Sequence, residues 1–379
     1  MKKKFFLFLA VLPLLNACET AEAPSNPLLL ALKSQDPNIK RVMDSLAQHE
    51  LQIRYTRIDR TADSTQLTDY DFQVDKDAYF YPASTVKFPI AVLTLEKLNT
   101  LDILTMNTKF YVEGDSVETT FAKEISKIFA VSDNEAYNRL LEFLGQDYIN
   151  KSLEEKAIAP VRISHRLSTT NADDVTTKPL VIYLNDSTTH LLEHSINRPP
   201  KTLHLKGVTK GLGYYSDDIL VEEPFDFSLK NYYPIAAQHG VLKRTLFPKE
   251  FTASQQFKIN DAQRQFLLQA MHSLPNTLGY DPERYYDSYV KFFMFGDTTE
   301  DIPEHFKIYN KVGYAYGTLT DCAYIIDSKN NVEFMLTATL LVNKDGIFND
   351  DAYEYDDIGI PFLAALGRKI YDIELNRKK

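Results

Sequence analysis

The 379-residue chain has only two cysteines and eight histidines, and no apolar run long enough to cross a bilayer. Each shortage excludes something. Cys18 lies in a leader region, so Cys322 has no partner for an intramolecular disulfide, and stability must come from a packed core. The histidines show no H-E-x-x-H or other tight ligand spacing, so neither a metal nor another cofactor is expected. Positive charge is also scarce: the formal net charge is -10, which argues against a nucleic-acid partner. There is no internal repeat. What remains, 44% apolar and 25% charged residues, is the composition of a globular protein with room for one or two domains.

The apolar run Phe5 to Leu15 follows Lys2, Lys3 and Lys4, which is the layout of a cleaved signal peptide over residues 1–17. Leu15-Asn16-Ala17-Cys18 resembles the bacterial lipobox, although Asn16 is an uncommon residue at its position. That resemblance implies lipidation of Cys18, a membrane anchor and a cell-envelope location. Cleavage would remove three lysines and no acid, taking the net charge to -13. Residues 18–34 read as a tether without assigned structure.

Beyond the tether, Ile39, Val42, Met43 and Leu46 recur at helical spacing, and alternating residues from Leu51 to Ile58 begin a set of extended segments. A helix follows from Ser84 to about Leu98, then helices over Phe121–Phe129, from Ala136 to Gly145, and from Tyr148 to Ala157. Lys178-Pro179-Leu180 is expected to open another. Residues 185–260 scatter proline, glycine and aromatics, with Pro199-Pro200 and Pro234 expected to break any long element, and read as an insertion. After a helix over Asp261–Ser273, three strand-like runs (Phe306–Val312, Leu319–Asp327, Val332–Val342) precede a final helix, Ile358–Leu375. Strands at both ends with helices between predict an α+β fold: one antiparallel sheet from residues 35–82 and 261–379, flanked by helices, with a central helical lobe over 83–184.

Three short motifs carry the chemistry. Ser84-Thr85-Val86-Lys87 places a hydroxyl one helical turn from an amine, a nucleophile beside a base if burial lowers the lysine's pKa. Ser132-Asp133-Asn134 falls between two helices, and Lys311-Val312-Gly313 on a strand. Together, in this order, they resemble the S-x-x-K, S-D-N and K-T-G motifs of the serine β-lactamase and penicillin-recognising transpeptidase superfamily, most closely its class A branch. Ser288-Tyr289-Val290-Lys291 fits S-x-x-K out of order, and Lys344-Asp345-Gly346 fits K-x-G in a polar turn.

The resemblance implies that Ser84 forms an acyl-enzyme, with Lys87 as proton acceptor and Ser132 as proton shuttle. The backbone N–H groups of Ser84 and Tyr314 would make the oxyanion hole. Asn134 would hold the substrate amide, Lys311 its carboxylate, and the strand carrying Gly313 would pair with the substrate. The substrate would be a β-lactam or a peptidoglycan stem peptide. Two departures weigh on this. The Glu-x-x-Leu-Asn segment that positions the deacylating water in class A enzymes has no counterpart, since Pro160 to Asp174 contains no glutamate and offers only Asp173 and Asp174. Val312 also replaces a hydroxyl residue. Both predict an acyl hydrolase slow in deacylation, with a D-alanyl-D-alanine peptidase or transpeptidase, or a non-catalytic wall-binding lipoprotein, as alternatives.

Overall fold

The computed structural model describes residues 26–377, so the expected signal peptide, Cys18 and the start of the tether lie outside the described residues. The chain enters as helix α1 (Pro27–Leu32), which corrects the tether reading for its last part. The Asn26 side chain caps it by accepting from Leu28 N and Leu29 N, with proline at the first helical position. Leu28, Ala31 and Leu32 are then buried, an apolar face that the polar composition just upstream conceals. Helix α2 (Pro37–Asp44), capped by Asp36, leads through a 3-10 turn to strands β1 (Gln52–Arg60) and β2 (Thr65–Phe72). A 3-10 turn at Ala83–Val86 runs directly into α3 (Lys87–Leu98).

The lobe that follows contains β3 (Lys109–Val112), β4 (Thr119–Thr120), α4 (Phe121–Val131), α5 (Asn134–Leu144) and α6 (Gln146–Glu155). The helix expected from Lys178 is instead β5 (Leu180–Asn185), paired with β3 on one side and β6 (Thr188–Leu192) on the other. Leu180 and Ile182 are buried while Val181 and Tyr183 are less so, a two-residue alternation of β-favouring side chains that fits a strand.

The expected insertion divides in two. Its first part holds the short strands β7 (Thr209–Lys210), β8 (Gly213–Ser216), β9 (Ile219–Val221) and β10 (Phe225–Asp226). Its last part is α7 (Ile235–Leu246), which belongs to the body of the fold. Pro234, read as a breaker, is the residue from which this helix starts, and Val241 and Leu242 are fully buried. His239 anchors α7 on the main sheet through Thr56 Oγ1 at 2.6 Å and Thr337 Oγ1 at 2.8 Å.

Helix α8 (Asp261–His272) and a kinked turn, α9 (Phe292–Phe295), precede β11 (Phe306–Ala315), β12 (Thr318–Asp327), β13 (Val332–Leu341) and β14 (Ile347–Phe348). The chain closes with α10 (Ile360–Leu375). The main sheet is antiparallel in the order β11-β12-β13-β1-β2, so the N-terminal hairpin joins the C-terminal meander at the β1–β13 seam, with Tyr55 opposite Leu336. One core lies on the α1/α2/α10 side, with Ile39, Phe334 and Phe362 in it. The other, with Phe88, Phe129 and Leu140, fills the space between sheet and helical lobe. Strand β12 is covered on both faces and reads as a nearly continuous buried run.

Candidate active site

Ser84 sits in the 3-10 turn where the sheet meets the lobe. Thr85 locks this turn, its N–H and Oγ1 both donating to the Pro82 carbonyl at 3.1 and 2.6 Å. Strand β11 passes so close that a Cβ on Gly313 would lie 2.8 Å from Ser84 N and 2.9 Å from Pro82 O. Only glycine lets the two backbones approach in this way. Gly313 therefore sets the spacing between Ser84 and Tyr314, the neighbouring residue of β11.

Lys87, at the start of α3, is 0% exposed. Its Nζ donates to Asn134 Oδ1 at 2.6 Å, to the Ser132 carbonyl, and to Ser132 Oγ at 3.3 Å. Ser132 ends α4 in the left-handed region (φ 57°), an uncommon conformation for a non-glycine residue that turns the chain between two helices and aims the hydroxyl inward. Asp133 caps α5 by accepting from Ala136 N at 2.8 Å. From the opposite side Lys311 Nζ donates to Ser132 Oγ at 2.7 Å and to the Val312 carbonyl at 2.8 Å. All three motifs thus converge on one hydroxyl.

Burial lowers Lys87 to about 7, with Asp133 opposing the shift. Burial also holds Lys311 well below the usual lysine range, and the neighbouring Lys87 charge pushes it the same way. Two ammonium groups cannot both be charged here at little cost, so the pair titrates as a unit with a neutral amine available near neutrality. Behind them, Lys291 Nζ donates to Asn310 Oδ1 at 2.7 Å, and Asn310 Nδ2 donates to Asp321 Oδ1 at 2.9 Å. Burial brings Lys291 down to about 7 and Asp321 up to about 6. The second S-x-x-K is sealed, because Ser288 is buried and donates to the Thr298 carbonyl. Lys344-Asp345-Gly346 lies in the turn between β13 and β14.

Ser84 opens into a cleft of about 410 Å³. One side is the stretch expected to lack a glutamate, which presents Leu167 and Ser168. Arg166 and Glu142, both buried, pin that stretch through a 2.6 Å ion pair, and Asn138 brackets Leu167 by bonding its N–H and carbonyl. Ser168 Oγ accepts from Asn134 Nδ2 at 2.9 Å. Asn134 lines the cleft with its Oδ1 accepting from Lys87 and one Nδ2 hydrogen donated to Ser168. Lys311, 2% exposed, stands behind Ser132 rather than in the cleft lining. Asp173 is exposed and faces Lys230 at 3.7 Å, while Asp174 supplies its carbonyl to Arg166; neither lines the cleft.

Residues 36–191 match the model of the Beta-lactamase enzyme family. Among solved structures, a β-lactamase from Burkholderia ambifaria aligns over 88% of this chain and 97% of its own, at 13% identity and a TM-score of 0.50. L2 complexed with relebactam aligns over 92% and 98%, at 14% identity and a TM-score of 0.50. No curated protein sequence matches. The chain has the serine β-lactamase fold.

Within this β-lactamase fold, several cleft residues escaped the sequence reading: Ser168, Asn349, Asp351, and the tyrosines at 316, 353 and 355. The only available signal was the density of tyrosine in Asp351-Ala352-Tyr353-Glu354-Tyr355, a polar stretch with no periodicity. The Arg166–Glu142 pin joins residues 24 apart and had no motif to betray it.

Proposed function

We propose that this protein is a serine acyl hydrolase that forms an acyl-enzyme on Ser84 with an amide or ester substrate. The observation that carries this reading is the meeting of two desolvated lysines on Ser132 Oγ, next to an accessible serine. Ser84 Oγ attacks the carbonyl carbon while its proton passes to the neutral amine of Lys87, directly or through the Ser132 hydroxyl. The carbonyl electron pair moves to oxygen, where the N–H groups of Ser84 and Tyr314 receive it. When the pair returns, the bond to the leaving group breaks. Ser132 Oγ, which accepts from Lys311, then gives a hydrogen to the leaving atom and is reprotonated from Lys87, which carries the proton taken from Ser84.

Water must then attack the acyl carbon. The cleft wall that would direct it carries Leu167 and Ser168, with no carboxylate between residues 160 and 174 facing the acyl group, so deacylation is slow. The same chemistry serves a D-alanyl-D-alanine peptidase or transpeptidase. A non-catalytic role is disfavoured because burying Lys87 and Lys311 costs stability and gives the fold nothing it could not get from apolar residues. Incubation with benzylpenicillin, and separately with a pentapeptide stem, followed by intact-mass measurement distinguishes the substrates. A persistent adduct that maps to Ser84 and is lost in Ser84→Ala is expected; an adduct retained in Ser84→Ala would reject the assignment. We also propose anchoring through lipidated Cys18: Cys18→Ser should move the protein to the soluble fraction, and unchanged membrane retention would count against it.

A further inference from the structure

The second S-x-x-K takes no part in the chemistry above, yet its Lys291 belongs to a polar cluster on the reverse face of β11. Successive residues of a strand point to opposite faces, so Lys311 reaches the lobe while Asn310 and Val312 turn toward the α10 side. Asp321, opposite Val312 on β12, points the same way. There Lys291 Nζ donates to the carbonyls of Met271 and Ile308 at 2.9 and 3.0 Å, and to Asn310 Oδ1. Asn310 Nδ2 donates to Asp321 Oδ1, while Asp321 Oδ2 accepts from Phe293 N at 3.3 Å. All three side chains are buried, and the sheet neighbours of Asp321 are the apolar Val312 and Ala338. His272 and Lys307 stand on the far side of Lys291.

Ser132 Oγ lies 2.7 Å from Lys311 Nζ and 3.3 Å from Lys87 Nζ, and its contacts are met whichever amine carries a single shared proton. The charges behind each amine separate the two arrangements. Lys87 faces Asp133, which is partly exposed and already accepts from Ala136 N. Lys311 faces Lys87, Asp321 and Lys291, and of the last two the carboxylate weighs more. The Cys322 thiol, paired with Lys311 across the strands, is pushed up by burial and stays neutral. A buried charge is screened less than one at the surface, so Asp321 outweighs Asp133.

We infer that Asp321 is a positioning residue for the site: its carboxylate, held by Asn310 and through it by Lys291, keeps the shared proton on Lys311 and leaves Lys87 as the neutral amine. The consequence for catalysis rests on the acyl-enzyme reading, but the placement of the proton does not. Burial pushes Asp321 up only to about 6, so the carboxylate is charged at neutral pH. Without it the proton moves to Lys87, which then accepts none from Ser84 until rising pH removes it.

The test reads proton and chemistry separately. Lysines labelled with 13C at Cε are titrated by NMR in the Ser84→Ala protein, with Lys87 and Lys311 assigned by the signals lost in Lys87→Met and Lys311→Met. Asp321→Asn keeps the volume and removes the charge. It should raise the Lys87 midpoint by about one pH unit and lower that of Lys311. With Ser84 in place, acylation by benzylpenicillin should fall about tenfold at about pH 7 and recover by about pH 9. An unmoved Lys87 midpoint, or a loss of rate equal at every pH, would overturn the proposal. Should Asp321→Asn not fold, Lys291→Met carries the test, because a buried carboxylate without its cation takes up a proton near neutrality. The Lys87 midpoint should then rise by less, and no change or a fall would overturn the proposal. If the midpoints move as expected but no adduct forms on Ser84, the proton placement stands and the acyl-enzyme reading falls.

Discussion

Lys87 shows what a single residue can make visible. An ammonium removed from water stays protonated only at a cost, and burial lowers its pKa to about 7 from a usual value of about 10.4. Between those values the unfolded chain holds a proton that the folded chain does not. Stability therefore rises as pH climbs from about 7 toward 10, and the penalty is complete below about 7. Lys87→Met should raise stability at pH 7 by about 1–2 kcal/mol and flatten this rise, while abolishing acylation. Lys291, lowered to about 7 as well, keeps part of the slope, so flattening will be partial. Melting curves of both proteins from pH 6 to 9 provide the check, and parallel curves would mean that Lys87 is not the titrating group. At this scale the sequence was informative because Ser84, Lys87, Ser132 and Lys311 are types whose chemistry is tied to close spacing. The tyrosine rim was not legible: tyrosine is equally at home in a core, and only tertiary contact gives its ring a cleft to face.

Elements were legible where burial has a period. Helices α4, α5, α8 and α10, and the meander β11 to β13, lie close to where spacing predicted them. Misreadings fell where a local signal has two meanings. Proline opened α1 and α7 where it had been read as tether or breaker, and Leu180 to Asn185 was too short for periodicity to separate strand from helix. The segment between α6 and β5 has no regular structure to hold it, so its position at the cleft depends on cross-links. Beside the Asn138 bracket on Leu167, Arg166 supplies several, pairing with Glu142 and donating to the carbonyls of Asp174 at 2.7 Å and Thr176 at 3.0 Å. Glu142→Ala would leave a buried guanidinium unpaired and should cost about 3–5 kcal/mol. The loss would show in the midpoint of urea unfolding, together with new proteolytic cleavage between residues 166 and 176. A change below about 1 kcal/mol would mean that the carbonyl bonds of Arg166 and the Asn138 bracket on Leu167 hold the loop without the ion pair.

The whole molecule places Ser84 on the seam between sheet and helical lobe, and under the proposed acyl-enzyme chemistry the seam decides how each half of the reaction is supplied. The sheet side brings Lys311, Gly313 and Tyr314 on one strand, and the lobe brings Ser132 and Asn134 from the α4–α5 junction. These are the groups that the proposed acylation would use. In that proposal the water for deacylation would reach Ser84 from the Leu167–Ser168 side, since β11 packs against the Ser84 turn on the other. That side offers a hydroxyl already held by Asn134 and no general base. Reaction with benzylpenicillin should therefore open about one β-lactam ring per Ser84 in a burst and then release product slowly, with an adduct visible by mass long after the burst. Ser168→Glu would put a carboxylate on the cleft wall, beside Asn134, and should speed release by about 100-fold or more if a positioned base is all that deacylation lacks. The left-handed backbone at Ser168 (φ 52°) makes that glutamate somewhat strained, so the variant's melting temperature should fall slightly. Fast multiple turnover by the unmodified protein would refute the argument. Loss of that turnover in Asp173→Asn would then show that the carboxylate facing Lys230 reaches the acyl group after all.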